Sequence, residues 1–90
     1  MAVTRSVLIT NKRGLHARAS AKFVTLAAAQ PCELLVEKDG AGSVTGTSIM
    51  GLMMLGAAKG DTIIISAEGD HAEVAVGALC DLVEAKFGED

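Results

Sequence analysis

His16 and Arg18 lie two positions apart where a loop gives way to a helix. The preceding residues run Asn-Lys-Arg-Gly-Leu from Asn11, and apolar residues at helical spacing follow. The first backbone N–H groups of a helix lack partners, so those of Ala17 and Arg18 are expected to face the imidazole and form an anion site. The partial positive charge of the helix end disfavours imidazolium. We therefore expect a neutral His16 that can attack a phosphoryl group.

Arg18 and Gly14 fit the same chemistry. The guanidinium of Arg18 can turn back towards phosphoryl oxygens in a fork geometry that lysine does not reproduce, and Gly14 permits a tight approach of the chain. His71 is the contrast, since it stands beside Asp70 and Glu73 with no basic partner and is expected on the solvated surface. An exposed phosphate site suits a carrier better than an enclosed enzyme.

Composition narrows the classes of function. Ninety residues predict one domain spanning 1–90. A net charge of −3, with only two aromatic residues, argues against binding to nucleic acid. Cys32 and Cys80 lack the spacing of zinc or redox motifs, so both are interpreted as buried, reduced thiols. No metal or cofactor is expected.

The chain carries no pattern for export or membrane insertion. Residues 1–5 lack the apolar run of a signal peptide, and no stretch approaches the roughly 18 apolar residues of a membrane span. The sequence therefore predicts a cytoplasmic protein, which we expect to be a monomer.

The hydropathy pattern predicts four strands and three helices in the order βαββαβα. Asp39-Gly40 is typical of a hairpin turn, Thr47-Ser48 of a helix cap with Gly56 able to end that helix, and Asp70 with Glu73 of a capping box. This order favours an α+β open-faced sandwich, with a four-stranded antiparallel sheet and all helices on one face. The predicted strands are 3–10, 32–38, 41–46 and 62–67, and the predicted helices are 17–30, 49–55 and 71–87.

Two of these elements carry further expectations about the core. Strand 62–67 is apolar on both faces, which indicates a central position in the sheet. The last helix has one broad apolar stripe that is expected to be buried. Its members are Val76, Leu79, Cys80, Val83 and Phe87.

The whole chain resembles the HPr family, the histidine-containing phosphocarriers of the bacterial phosphoenolpyruvate-dependent phosphotransferase system. The likeness rests on Gly-Leu-His-Ala-Arg at 14–18, on 48–55, on 58–60 and on 66–69. It implies that His16 is phosphorylated through Nδ1 with Arg18 as its partner. It also implies that enzyme I is the donor and an enzyme IIA the acceptor. Segments 11–12 and 52–55 look similar to the nitrogen-related branch, NPr, which regulates rather than imports sugar.

Ala19 departs from the family pattern, in which proline follows the motif arginine. The change restores a backbone N–H in the first helical turn, which would either bind phosphate or be left to water. Because His16 and Arg18 are unchanged, we expect function to be retained.

Ser48 matches, by resemblance, the serine that HPr kinase/phosphorylase modifies in some bacteria. A phosphate there would sit at a helix N-terminus, where negative charge is favoured. The alternative is an ordinary N-cap, which needs no kinase to explain it.

The short helix after Ser48 divides into two faces. Leu52 and Leu55 are expected in the core, which leaves Ile49, Met50 and Met53 as a docking patch near His16. Flexible methionines adapt to partners of different shape, which suits a carrier that must fit both donor and acceptor. The alternative is that these residues, Met53 above all, belong to a core stripe.

Two other classes of function compete with phosphoryl carriage. In the first, the protein is chiefly a regulatory binding protein, acting through phosphorylated Ser48 or in a nitrogen-related relay. In the second it is a stand-alone enzyme. The enzyme lacks support because no acid/base pair or metal-ligand spacing accompanies His16, and so small a chain offers no deep cavity.

Overall fold

The computed structural model describes residues 2–89 and has the element order expected from the sequence. A single turn over Lys86–Gly88 follows the last helix, and we name residues 86–89 the C-terminal strap. The strands are β1 (Ala2–Leu8), β2 (Leu34–Lys38), β3 (Gly42–Thr45) and β4 (Thr62–Glu68). The helices are α1 (Ala17–Ala28), α2 (Ile49–Met54) and α3 (Ala72–Glu84).

The four strands form one antiparallel sheet in the order β1-β4-β2-β3. The predicted central strand is β4, which pairs with β1 on one side and β2 on the other. Its Ile63, Ile65 and Ala67 are buried, whereas the residues between them are partly exposed. The alternation predicted from the sequence is thus confirmed, and so is the β2–β3 hairpin at Asp39-Gly40.

The helices cover one face of the sheet and enclose the core. On α1, Ala19, Phe23 and Ala27 recur at helical spacing and are buried, and the predicted stripe of α3 is buried as well. Leu52 and Leu55 enter the same core from α2 and its end. Packing by one apolar face fixes the position of α1, and therefore the position of the residue from which it starts.

Three predictions about local structure were wrong. The N-cap of α3 is His71 rather than Asp70, and it makes no side-chain capping bond. Cys32 precedes β2 and is only half-buried, unlike Cys80; both thiols are free. Phe87 is buried as expected but lies beyond the end of α3, because the chain turns to positive φ after Ala85.

Candidate functional site

His16 is the N-cap residue of α1. Its backbone is extended, with φ −75° and ψ 179°, and its carbonyl accepts the first helical hydrogen bond from Ser20 N–H at 2.8 Å. The imidazole makes no capping bond to the helix and is 15% exposed. The ring therefore stands at the electropositive end of α1 and can be approached from solvent.

Glu89, in the C-terminal strap, contacts the ring of His16. Nε2 lies 2.9 Å from Oε2 and 3.1 Å from Oε1 of the carboxylate. The hydrogen bond from His16 lowers the pKa of Glu89 below its ordinary value; partial burial opposes this, and the Asn11 amide adds to it. An ionised carboxylate only accepts hydrogen bonds, so the proton of this bond belongs to Nε2.

Asn11 holds the carboxylate from the other side. Its side chain is fully buried, and Nδ2 donates to the Gly14 carbonyl at 2.9 Å and to Oε1 of Glu89 at 3.2 Å. Reversing the amide would place its oxygen against two acceptors, so the hydrogen bonds fix its orientation. Oδ1 is buried and has no partner among residues 2–89. Asn11 thus ties the loop before His16 to the C-terminal strap.

The strap itself is anchored to the body of the protein at two further points. Phe87 is buried in the core, and its carbonyl accepts a hydrogen bond from Nζ of Lys22 on α1 at 2.7 Å. Lys86 and Phe87 have φ of 59° and 55°, a conformation that non-glycine residues adopt at a cost of about 1–2 kcal/mol each. Such strain persists only where surrounding contacts hold it.

Arg18 is exposed and follows His16 by two residues, as the motif requires, but no hydrogen bond joins its guanidinium to the ring. It lines a shallow apolar groove between α1 and Leu82 of α3. Within residues 2–89 it makes no ion pair or side-chain hydrogen bond. Its part in phosphate binding, like that of Ala17, stays a prediction.

The loop before His16 is joined to the loop after α2. Gly14 has φ +63°, and a Cβ placed on it would lie 2.4 Å from the carbonyl oxygen of Ala57 and 2.7 Å from Cα of Ala58. Leu15 N–H donates to that same carbonyl at 2.9 Å. Only glycine fits this position, which agrees with the tight approach inferred from the sequence.

Ser48 is the N-cap of α2, and its Oγ accepts a hydrogen bond from Gly51 N–H at 2.9 Å. The predicted docking residues lie on the exposed side of this helix: Met50 is 71% exposed, Met53 43% and Ile49 41%. The alternative that Met53 belongs to a core stripe is therefore wrong, and docking on these residues stays a prediction. Met54, at 78% exposure, was missed and extends the same surface.

Ala19 is fully buried, side chain and backbone together. Whether the N–H that proline would lack binds phosphate or water stays a prediction.

Two residues of the site escaped the sequence analysis in whole or in part. Asn11 lies in the motif before His16, but no contact was predicted for its side chain, and no role was predicted for Glu89. Glu89 is 73 positions from His16, and no spacing pattern links an acidic residue near the chain end to a distant histidine.

The described residues contain neither a metal-binding cluster nor a membrane-spanning helix. Between Ala2 and Glu89, no three His, Cys, Asp or Glu side chains come close enough to hold a metal ion. No helix in the same range is long and apolar enough to cross a membrane.

Known proteins resemble this chain over nearly its whole length. Residues 3–85 match the family model described as PTS HPr component phosphorylation site. The chain is 43% identical over 83 residues to phosphocarrier protein HPr of Pseudomonas aeruginosa, with 92% of both chains covered. It is 41% identical to phosphocarrier protein NPr of Shewanella violacea, over 94% of this chain and 92% of that one.

The fold matches as well as the sequence. A crystal structure of HPr from Thermoanaerobacter tengcongensis is similar, with a TM-score of 0.90, 46% identity and 98% of both chains covered. Relatives named HPr share 41–48% identity with the chain and relatives named NPr share 37–41%, and both names belong to one family of phosphocarriers. The chain belongs to the HPr family of phosphocarriers of the phosphotransferase system.

Proposed function

We propose that this protein carries a phosphoryl group on Nδ1 of His16, accepting it from enzyme I and passing it to an enzyme IIA. One observation supports the choice of atom above the others. Nε2 is engaged by the Glu89 carboxylate, which leaves Nδ1 as the ring nitrogen free to act as a nucleophile.

The first turn of α1 supplies the phosphate contacts in this proposal. The N–H groups of Ala17 and Arg18 have no partner within the helix, whose first hydrogen bond is made by Ser20. Together with the helix dipole they would stabilise the charge of a phosphoryl group on Nδ1. The guanidinium of Arg18 is exposed and unpaired within residues 2–89, so it can turn to the phosphoryl oxygens.

The exposed side of α2 is the proposed docking surface. Ile49, Met50 and Met53 present apolar, adaptable side chains on a helix that packs against α1. A partner bound there would reach His16 from solvent. In this proposal the chain is a single domain that acts as a monomer in the cytoplasm.

The alternative proposal gives Ser48 the leading role. Its hydroxyl is half-buried at the start of α2, beside the docking surface. Phosphorylation by an HPr kinase/phosphorylase would place negative charge against this apolar face and change which partners bind. The protein would then act chiefly as a regulator.

Labelling with phosphoenolpyruvate and enzyme I tests the main proposal. We expect a label on the native chain that is lost in acid, because phosphohistidine is acid-labile and phosphoserine is not, and no label on His16→Ala. The matched control is His71→Ala, which removes the exposed histidine of α3 and should label normally. Label that persists in His16→Ala would contradict the assignment. In a separate incubation with an HPr kinase/phosphorylase and ATP, acid-stable label that is lost in Ser48→Ala would favour the regulatory alternative.

Arg18→Ala separates the contribution of the guanidinium. Since Arg18 is exposed and makes no side-chain hydrogen bond within residues 2–89, the fold should be unaffected while transfer becomes slower. Lys12→Ala, which removes an exposed cation from the preceding loop, is the control for net charge. Equal transfer rates in the two variants would remove Arg18 from the mechanism.

A further inference from the structure

We propose that Glu89 is a positioning residue for phosphoryl transfer, which holds the proton of His16 on Nε2 so that Nδ1 presents its lone pair to phosphorus. The inference rests on the proposed function, because it concerns the atom that attacks. It adds to that function a residue from the opposite end of the chain, outside the residues 3–85 that match the family model.

The first support is the contact between the ring and the carboxylate. Both carboxylate oxygens lie within 3.1 Å of Nε2, so a proton on this nitrogen always has an acceptor. A ring with its single proton on Nδ1 would instead turn the Nε2 lone pair towards an anion. The carboxylate therefore stabilises the tautomer in which Nδ1 is the nucleophile.

The second support is that the carboxylate is held in place. Asn11 binds Oε1 with the same amide that binds the Gly14 carbonyl in the loop before His16. Lys22 binds the Phe87 carbonyl two residues before Glu89, and the Phe87 ring is buried. A freely moving side chain would not select a tautomer, whereas one held by the core and by a buried amide can do so.

The transfer step follows directly. The Nδ1 lone pair forms the N–P bond, while the bond between phosphorus and the leaving atom of the donor breaks and that atom keeps the electron pair. His16 then carries phosphorus on Nδ1 and its original proton on Nε2, so the ring bears a positive charge opposite Glu89. In the onward transfer the N–P electrons return to Nδ1. The proton stays on Nε2 throughout, and no additional acid or base is required.

The test begins with the unphosphorylated protein. In ¹⁵N NMR spectra at about pH 9, above the ordinary pKa range of histidine, we expect His16 to show a protonated Nε2 and an unprotonated Nδ1. In Glu89→Ala the nitrogen shifts should move towards the average of the two tautomers. Glu84→Ala is the matched control, since it removes an exposed carboxylate at the end of α3 and should leave the shifts unchanged.

The same variants are then compared in transfer from phosphorylated enzyme I. We expect Glu89→Ala to be about 3- to 10-fold slower, which corresponds to the net contribution of one ordinary hydrogen bond, and Glu84→Ala to match the native rate. Glu89→Gln keeps the size of the side chain, so it replaces Glu89→Ala in this test if alanine loosens the strap. It should shift the tautomer and the rate in the same direction.

The two proposals fail in different ways. If His16 takes no label, the proposed function fails, and the NMR comparison still decides whether Glu89 sets the tautomer. If His16 is labelled normally while its spectrum is the same in native protein, Glu89→Ala and Glu89→Gln, the positioning role is overturned. A native ring protonated on Nδ1 would overturn it as well.

Discussion

Replacing Gly14 with alanine should be the most damaging small change in the loop that carries His16. Two separate penalties add at this position. Alanine at φ +63° requires the left-handed conformation, at about 1–2 kcal/mol. Its Cβ would also lie 2.4 Å from the Ala57 carbonyl oxygen, and relieving such an overlap by moving backbone costs about 1–3 kcal/mol more. The expected loss of unfolding free energy is therefore about 2–5 kcal/mol.

Gly56 provides the matched control. Its φ of +66° is almost the same, but a Cβ placed there meets nothing within 4 Å. Gly56→Ala should therefore carry only the conformational penalty of about 1–2 kcal/mol. The difference between the two variants isolates the close approach of the Gly14 loop to the loop after α2.

Urea unfolding followed by circular dichroism measures both losses, provided that the m-values are unchanged. Phosphoryl transfer should also fall in Gly14→Ala, because the displaced loop ends at His16, and should be retained in Gly56→Ala. If the two variants lose the same free energy within about 0.5 kcal/mol, the close contact does not constrain the loop and the reasoning is refuted.

Three further predictions follow from named contacts. Asn11→Ala should lower the unfolding free energy by about 1–3 kcal/mol, because the Gly14 carbonyl and Glu89 lose a buried donor; an unchanged urea midpoint would contradict this. Ser48→Ala should cost about 1 kcal/mol through loss of the α2 cap, whereas Ser43→Ala on exposed β3 should stay within about 0.5 kcal/mol in the same assay. Because the hydrogen bonds from His16 and from Asn11 lower the pKa of Glu89, the stabilisation that its ionised carboxylate provides is complete above about pH 4.5 and is lost as pH falls through the lower folded value. The protection factors of the strap amides, corrected for the intrinsic exchange rate at each pH, should therefore fall in that acid range in the native protein and change less in Glu89→Gln.

Most of the fold could be predicted because its signals are local. The alternation along β4, the helical spacing of Ala19, Phe23 and Ala27, and the serine before α2 each reflect contacts within one element. Burial of one face of each element then leaves few ways to assemble four strands and three helices. The position of His16 at the start of α1 followed from the same patterns.

The cap of α3 was mispredicted because the sequence motif does not determine the path of the preceding turn. Ala72 N–H bonds to the Gly69 carbonyl, and the first helical bond is that from Ala75 to His71. The helix therefore begins one residue later than the Asp70–Glu73 spacing suggests. A capping motif indicates that a helix starts nearby, while the connecting turn decides at which residue.

The C-terminal strap could not be predicted for a different reason. Lys86 and Phe87 take positive φ although neither residue type favours it, so propensity gives no signal. The conformation is selected by burial of the Phe87 ring and by the hydrogen bond that Lys22, 65 positions earlier in the chain, donates to the Phe87 carbonyl. Long-range contacts of this kind also place Glu89 at His16, and a pattern within a short window cannot contain them.

The hydrogen bond from Leu15 N–H to the Ala57 carbonyl affects how a partner protein would reach His16. It joins the loop that carries His16 to the loop after α2, so the imidazole and the exposed methionines of α2 are held in a fixed relative position. A donor or acceptor that docks on the methionines, as proposed, would therefore meet the imidazole in the same orientation. The donor and the acceptor would need to have in common only their contacts with these methionines, and the rest of each interface could differ.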